Sequence, residues 1–260
     1  MRTVKHISAE LCELLREVEV RLSALLRKNL VGIYVHGSVT QRSFNPERSD
    51  VDVIVVTRRN LSDAQFRKVS ERLAVIADSN SWAKRLQMLF LIRDEVLKMN
   101  SKACLYQFGV FKRSGSDGNP IIWMDVMKSG VVLYGANPDS FVPAITRHIL
   151  FQALDREVHY LRQEISEKLR SEWRDVPSYR AYAVLTLCRI LYSSRNGTIV
   201  SKQRAGEWAI KHLPSEWAEI ILQALESDEG KRRQRISRPR IEQFIKFVEN
   251  QIHGIKSNQI

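Results

Sequence analysis

Cysteine is scarce in this chain of 260 residues: it occurs three times, at 12, 104 and 188. An odd number of widely spaced thiols fits neither a disulfide framework nor zinc-ligand spacing. A reducing cytoplasm is the simplest compartment for such a chain. No apolar run approaches the roughly 20 residues that a membrane-spanning helix needs. The opening MRTVKHISAELCELL lacks both a continuous apolar stretch and a small-residue cleavage site, which predicts no signal peptide. There is no Walker-type glycine loop, no Ser-His-Asp constellation, no internal repeat and no low-complexity segment. His148, His159, His212 and His253 show no metal-ligand spacing, and His36, inside an apolar segment, reads as a packed structural histidine.

Acidic residues are also in deficit. Lys and Arg number 41 against 29 Asp and Glu, leaving a net charge of +12. Such a surface favours polyanions, among them nucleotides and RNA. The densest cluster, Lys231 to Arg240 (KRRQRISRPR), reads first as an exposed loop between helices and second as an anion-binding patch. No RNA-binding aromatic motif accompanies it, so RNA stays a possible partner resting on charge alone.

Against this background one segment stands out, LVGIYVHGSVTQRSFNPERSDVDVIVV. Two apolar strands, about 31–36 and 51–57, flank a polar loop. Gly37-Ser38 ends the first strand, eleven residues follow, and Asp50-Val51-Asp52 opens the second. Residues two apart on a strand project from one face. Two carboxylates so placed can hold a hard cation such as Mg²⁺, which takes oxygen ligands and shares them with phosphates. Gly37 lets backbone approach a phosphate closely, and Ser38 adds a hydroxyl donor. These parts suit phosphoryl or nucleotidyl transfer.

Around this segment, leucines and valines between 8 and 28 fall at helical spacing. LSDAQFRKVSERLAVIADS reads as a helix, RLQMLFLIRD (85–94) as a strand and CLYQFGVF (104–111) as a strand or strand-turn. Residues 115–120 read as a loop, IIWMDVMKSG as a helix and VVLYG as a strand. From about 142 the pattern is helical, with helices near 142–170, 177–195, 201–212, 215–226 and 238–252. The fold class is α+β: a mixed-sheet domain over 1–141 and an all-α bundle over 142–260, with a cleft expected between them. Trp208 and Trp217 lie at helical core positions.

The Gly-Ser and Asp-x-Asp segment, together with CLYQFGVF, VVLYGANPDS (131–140) and AVLTLCRILYSSRNGTIVSKQRAGEWAIKHLP (183–214), resembles the aminoglycoside (streptomycin/spectinomycin) adenylyltransferases of the DNA polymerase β-like nucleotidyltransferase superfamily. The resemblance covers nearly the whole chain. It implies AMP transfer from ATP to a hydroxyl of a small acceptor, with Mg²⁺ (two ions in the family pattern) on Asp50 and Asp52. It further implies triphosphate contacts at Ser38, Ser49, Arg189 and Lys202, with Gly37 allowing close approach.

Two departures qualify it. The family's catalytic glutamate on the third strand is Gln87 here, and an amide cannot accept the acceptor's proton. General-base catalysis is worth about 10² to 10⁴ in rate. Gln87 therefore predicts a slower enzyme, a relocated base (Glu47 and Asp94 are nearby in sequence) or a nucleotide-binding regulator. At the acceptor pocket the family's acidic pair becomes Tyr179-Arg180 and its tryptophan becomes Phe111, while Trp173 and Asp175 are further candidate contacts. An arginine facing a cationic acceptor costs affinity, so a neutral or anionic acceptor is expected.

Overall fold

The computed structural model describes residues 7–41, 43–47, 49–98, 101–116, 118–166, 177–231 and 236–257. The chain divides into two compact units, Met1–Ala144 and Ile145–Ile260.

The first unit is built on six strands: β1 (Leu30–His36), β2 (Val51–Thr57), β3 (Leu86–Ile92), β4 (Ser101–Gln107), β5 (Val110–Ser116) and β6 (Val131–Gly135). They lie in the order β5-β4-β3-β2-β1-β6. β2 is central, antiparallel to β1 and parallel to β3. A parallel neighbour requires a crossover, and α2 (Asp63–Ser79) lies within it. A capping box starts α2: the Ser62 hydroxyl accepts from the Gln65 N–H and the Gln65 side chain accepts from the Ser62 N–H. α1 (Ala9–Leu26) starts at an N-cap, Ser8, and buries Leu11, Leu14, Leu15, Val18, Leu22 and Leu26 along one stripe.

Strand alternation divides the sheet into two faces. Ile33, Val35, Val53, Val55, Met88, Phe90, Cys104 and Tyr106 pack with α1 and α2 in one continuous core. The opposite face carries Tyr34, Ile54 and, towards one end, His36, Asp52 and Gln87. There α3 (Pro120–Ser129) packs against β1. Its Trp123 meets Tyr34 edge-on with ring centres 6.0 Å apart, and Phe141 closes the aromatic cluster.

The 115–120 segment, read from its Gly, Ser and Pro content as loop, is strand to Ser116, and α3 begins at Pro120. Pairing of Ser101 with Ser116 and of Lys102 with Gly115 overrides the local turn preference. CLYQFGVF becomes a hairpin whose turn, Phe108-Gly109, has positive φ at both residues (53° and 77°), the geometry that suits a tight two-residue connection.

The second unit is all helical: α4 (Arg147–Ser166), α5 (Pro177–Asn196), α6 (Lys202–His212), α7 (Ala218–Asp228) and α8 (Arg238–Ser257). Helix α5 touches the other four, and Ala181, Ala183, Val184, Leu185, Leu187, Cys188, Ile190 and Leu191 are buried on it. A helix apolar around most of its girth belongs at the centre of a bundle. Trp217 is buried against Phe244 and Phe247, whereas Trp208 is half-buried, edge-on to Tyr192 and stacked on His212.

Candidate active site

The end of β1, the start of β2 and the start of β3 meet at one end of the sheet. His36 pairs with Asp52 across one ladder and Gln87 pairs with Asp52 across the other. These three side chains therefore share a face. Gln87 Nε2 donates to Asp50 Oδ2 at 2.9 Å, which places Asp50 beside them. Asp50 is exposed and Asp52 half-buried. Four sequence candidates, Asp50, Asp52, Gln87 and Gly37, thus converge within the first unit.

Gly37 is required sterically. Its φ is +73°, and a Cβ there would overlap the Asp52 carboxylate. The Gly37 carbonyl accepts from the Thr40 and Gln41 N–H groups at 3.1 and 3.0 Å, making a tight turn that carries Ser38.

Ser49 sits in the loop before Asp50, and its hydroxyl accepts from the Asn45 N–H at 2.9 Å. An accepting hydroxyl still has its own hydrogen to donate. The loop is held by a residue that sequence reasoning missed. Arg85 donates to the carbonyls of Asn45, Pro46 and Ser49 while its guanidinium lies 4.8 Å over the Trp82 ring.

A second missed residue is Asp125 of α3, 4% exposed. Its Oδ2 accepts from the Gly37 N–H at 2.8 Å, and its Oδ1 accepts from Gln41 Nε2 at 2.6 Å and from Ser129 Oγ at 2.7 Å. His36 Nδ1 lies 3.4 Å from Oδ2, giving that half-buried histidine a structural partner. Burial alone would raise the carboxyl's pKa. Hydrogen bonds from His36, Gln41 and Ser129, with the charge of His36, outweigh burial and hold it at about 2. The available signal was one acid in the otherwise apolar run IIWMDVM.

Phe111 is not among the residues brought together here. It pairs with Tyr106, which pairs with Met88, so it lies on the core face, opposite Asp52 and Gln87. Its ring stacks on Phe66 at 4.7 Å and meets Phe90 at 5.0 Å.

In the second unit, Tyr179, Tyr182 and Arg189 fall along one stripe of α5 by their spacing. Tyr179 donates to Glu164 Oε2 at 3.3 Å and stacks on Tyr182 with ring centres 5.8 Å apart. Burial, then the Glu164 charge, pushes the Tyr179 phenol well above its ordinary pKa. Lys202 Nζ lies 5.3 Å over the Tyr182 ring and 3.8 Å from Asp228 Oδ1.

Arg180 lies inside the second unit. It is 7% exposed and donates to the Ile236 carbonyl at 2.8 Å. A backbone carbonyl is a neutral acceptor, so this hydrogen bond orients the guanidinium within the second unit. Trp173 and Asp175 lie outside the described residues, as do Arg232 to Arg235 of the basic cluster. The flanking cations are engaged: Lys231 with Glu229, Arg238 with Glu242, and Arg240 over the Trp217 ring.

No three His, Cys, Asp or Glu side chains among the described residues form a metal cage. Magnesium is commonly held by one or two carboxylates, with substrate phosphates and water completing its shell.

Residues 140–251 match the family model described as the aminoglycoside adenylyltransferase C-terminal domain. Similar proteins include a spectinomycin 9-adenylyltransferase of Campylobacter jejuni, 21% identical over 78% of this chain and 80% of its own. An aminoglycoside (3'') (9) adenylyltransferase of Rhizobium radiobacter is 25% identical over 95% of this chain and 93% of its own. Across most of its length the chain is similar to aminoglycoside adenylyltransferases. Its fold matches that of the spectinomycin adenyltransferase from Enterococcus faecialis, solved with ATP and spectinomycin. The TM-score is 0.72 at 20% identity, covering 93% of this chain and 99% of that one. No described helix is long and apolar enough to cross a membrane.

Proposed function

We propose that this protein transfers AMP from ATP to a hydroxyl of a small, aminoglycoside-like acceptor. The observation that carries the reading is the convergence of Asp50, Asp52, Gln87 and Gly37 at one sheet end. Curated relatives named as aminoglycoside or spectinomycin adenylyltransferases support it. In the reaction the acceptor oxygen attacks the α-phosphorus, the bond from that phosphorus to the bridging oxygen breaks, and pyrophosphate leaves with the electron pair.

Asp50 and Asp52 would hold the metal, and Mg²⁺ bound there supplies charge neutralisation for the triphosphate and the transferring group. Ser38 and Ser49 donate hydroxyl hydrogens to phosphate oxygens. Arg189 and Lys202 are the triphosphate contacts proposed in the C-terminal unit, and Tyr179 is the proposed acceptor contact there. Gln87 orients Asp50 through its amide and cannot take the proton, which passes to water or to another base.

The test is transfer from ATP labelled at the α-phosphate, with Mg²⁺, to pooled aminoglycosides, spectinomycin, nucleotides and RNA. Labelled product is expected with a hydroxylated small molecule and is expected to vanish in Asp50→Asn with the fold intact. Equal turnover by that variant contradicts the assignment.

The Gln87–Asp50 hydrogen bond also favours a second reading, a nucleotide-binding protein without turnover. Brisk transfer by the native chain removes it. The basic segment supports RNA binding only if retention on RNA falls steeply with salt.

A further inference from the structure

We infer that Asp125 is a positioning residue that sets the turn carrying Ser38 and thereby controls how tightly this chain holds a nucleoside triphosphate. The inference rests on the nucleotidyl-transfer reading and concerns a residue that would not itself touch the nucleotide.

The geometry is specific. Apart from Ser129 on its own helix, the partners of Asp125 are His36, Gly37 and Gln41. All three belong to the strand end and turn that abut Asp52. Both carboxylate oxygens are in use, one at each end of the turn, so losing either acceptor releases residues 37 and 41 separately. Ser129, one helical turn after Asp125, fixes the orientation of the carboxylate.

From the other side the Gly37 carbonyl accepts from Thr40 Oγ1 and from two N–H groups, so the Gly37 peptide is gripped at both ends. Its N–H is committed to Asp125, and the phosphate-donating role falls to Ser38. Because the Gly37 Cα lies against the Asp52 carboxylate, a shift of this turn displaces the phosphate donor and the metal-holding wall together. A buried charge is costly when it serves packing alone. Here, among the described residues, its hydrogen bonds outside its own helix go to the segment that shapes the site.

The test compares native protein and Asp125→Asn by calorimetric titration with a non-hydrolysable ATP analogue in Mg²⁺. Asparagine keeps the shape but offers one acceptor and turns an N–H₂ towards a donor. The variant is expected to keep its circular dichroism and its binding stoichiometry, with affinity weakened by about 10- to 100-fold. Lower stoichiometry at unchanged affinity would mean a purely structural role and would overturn the inference. Should Asp125→Asn fail to fold, Gln41→Met removes one donor and leaves the carboxylate. It is expected to weaken binding by about three- to tenfold, and unchanged affinity overturns the inference. Tight native binding with equally tight binding by Asp125→Asn sinks the positioning role alone. No binding by the native protein sinks the nucleotidyl-transfer reading and this role with it.

Discussion

Replacing Gln87 with glutamate tests the proposed metal site and the proposed chemistry together. In the native chain the Gln87 amide donates to Asp50 Oδ2 at 2.9 Å. In Gln87→Glu that donor becomes an oxygen carrying negative charge. Two unit charges about 3 Å apart repel by about 1.4 kcal/mol at the dielectric of water, and by several times that in a partly buried setting. Asp50 is exposed, so the water limit is the better guide, and rotation of the new side chain relieves part of the repulsion. Adding the lost hydrogen bond gives a destabilisation of about 1–2 kcal/mol. For a unit of this size that lowers the melting temperature by about 3–6 °C.

Thermal melts in chelator and in millimolar Mg²⁺ measure it. The chelated variant is expected to melt below the native protein. Mg²⁺ is expected to restore it by more than it stabilises the native chain, because a cation there offsets three carboxylates in place of two. If the native chain lacks an efficient base, transfer by the variant is expected to rise by about 10²- to 10⁴-fold. A variant that melts at the native temperature in chelator and gains nothing from Mg²⁺ would refute the placement of Gln87 and Asp50 around a shared cation.

Two further outcomes are expected. Phe111→Ala removes a ring stacked on Phe66 and tilted against Phe90 and is expected to cost about 2–3 kcal/mol in denaturant unfolding with an unchanged KM for the acceptor. A large KM effect at native stability would place this residue in the acceptor pocket after all. Asp125 contributes stability that is complete above the ordinary carboxyl value of about 4 and is lost as pH falls towards its folded value of about 2. Its share is about 2 kcal/mol, so Asp125→Asn is expected to flatten the acid limb of the stability curve between pH 4 and 2, and an unchanged limb would contradict the low folded value.

The elements were legible where periodicity was strong. The leucine stripe of α1, the apolar strands β1 and β2 and the acidic pair between them can be read from spacing alone. What escaped depends on contacts between distant residues. Asp125 meets Gly37 across 88 positions, and Arg85 reaches Asn45 across 40; neither belongs to a motif. Phe111 lies on the core face because register and pleat decide its side of the sheet, which sequence matching to a relative does not reveal. Arg180 was read by its charge, whereas its burial and its bond to the Ile236 carbonyl come from packing that spacing does not reveal.

The flanking ladders also shape what substitution can achieve at the centre of the sheet. Backbone at Asp52 is tied to His36 on one side and Gln87 on the other, so its main chain has little room to follow a changed side chain. Amide and carboxylate swaps at 52 and 87 therefore alter charge on a nearly fixed frame. That makes this strand pair a place where activity could be tuned, gained or silenced by isosteric exchange without rebuilding the surrounding scaffold.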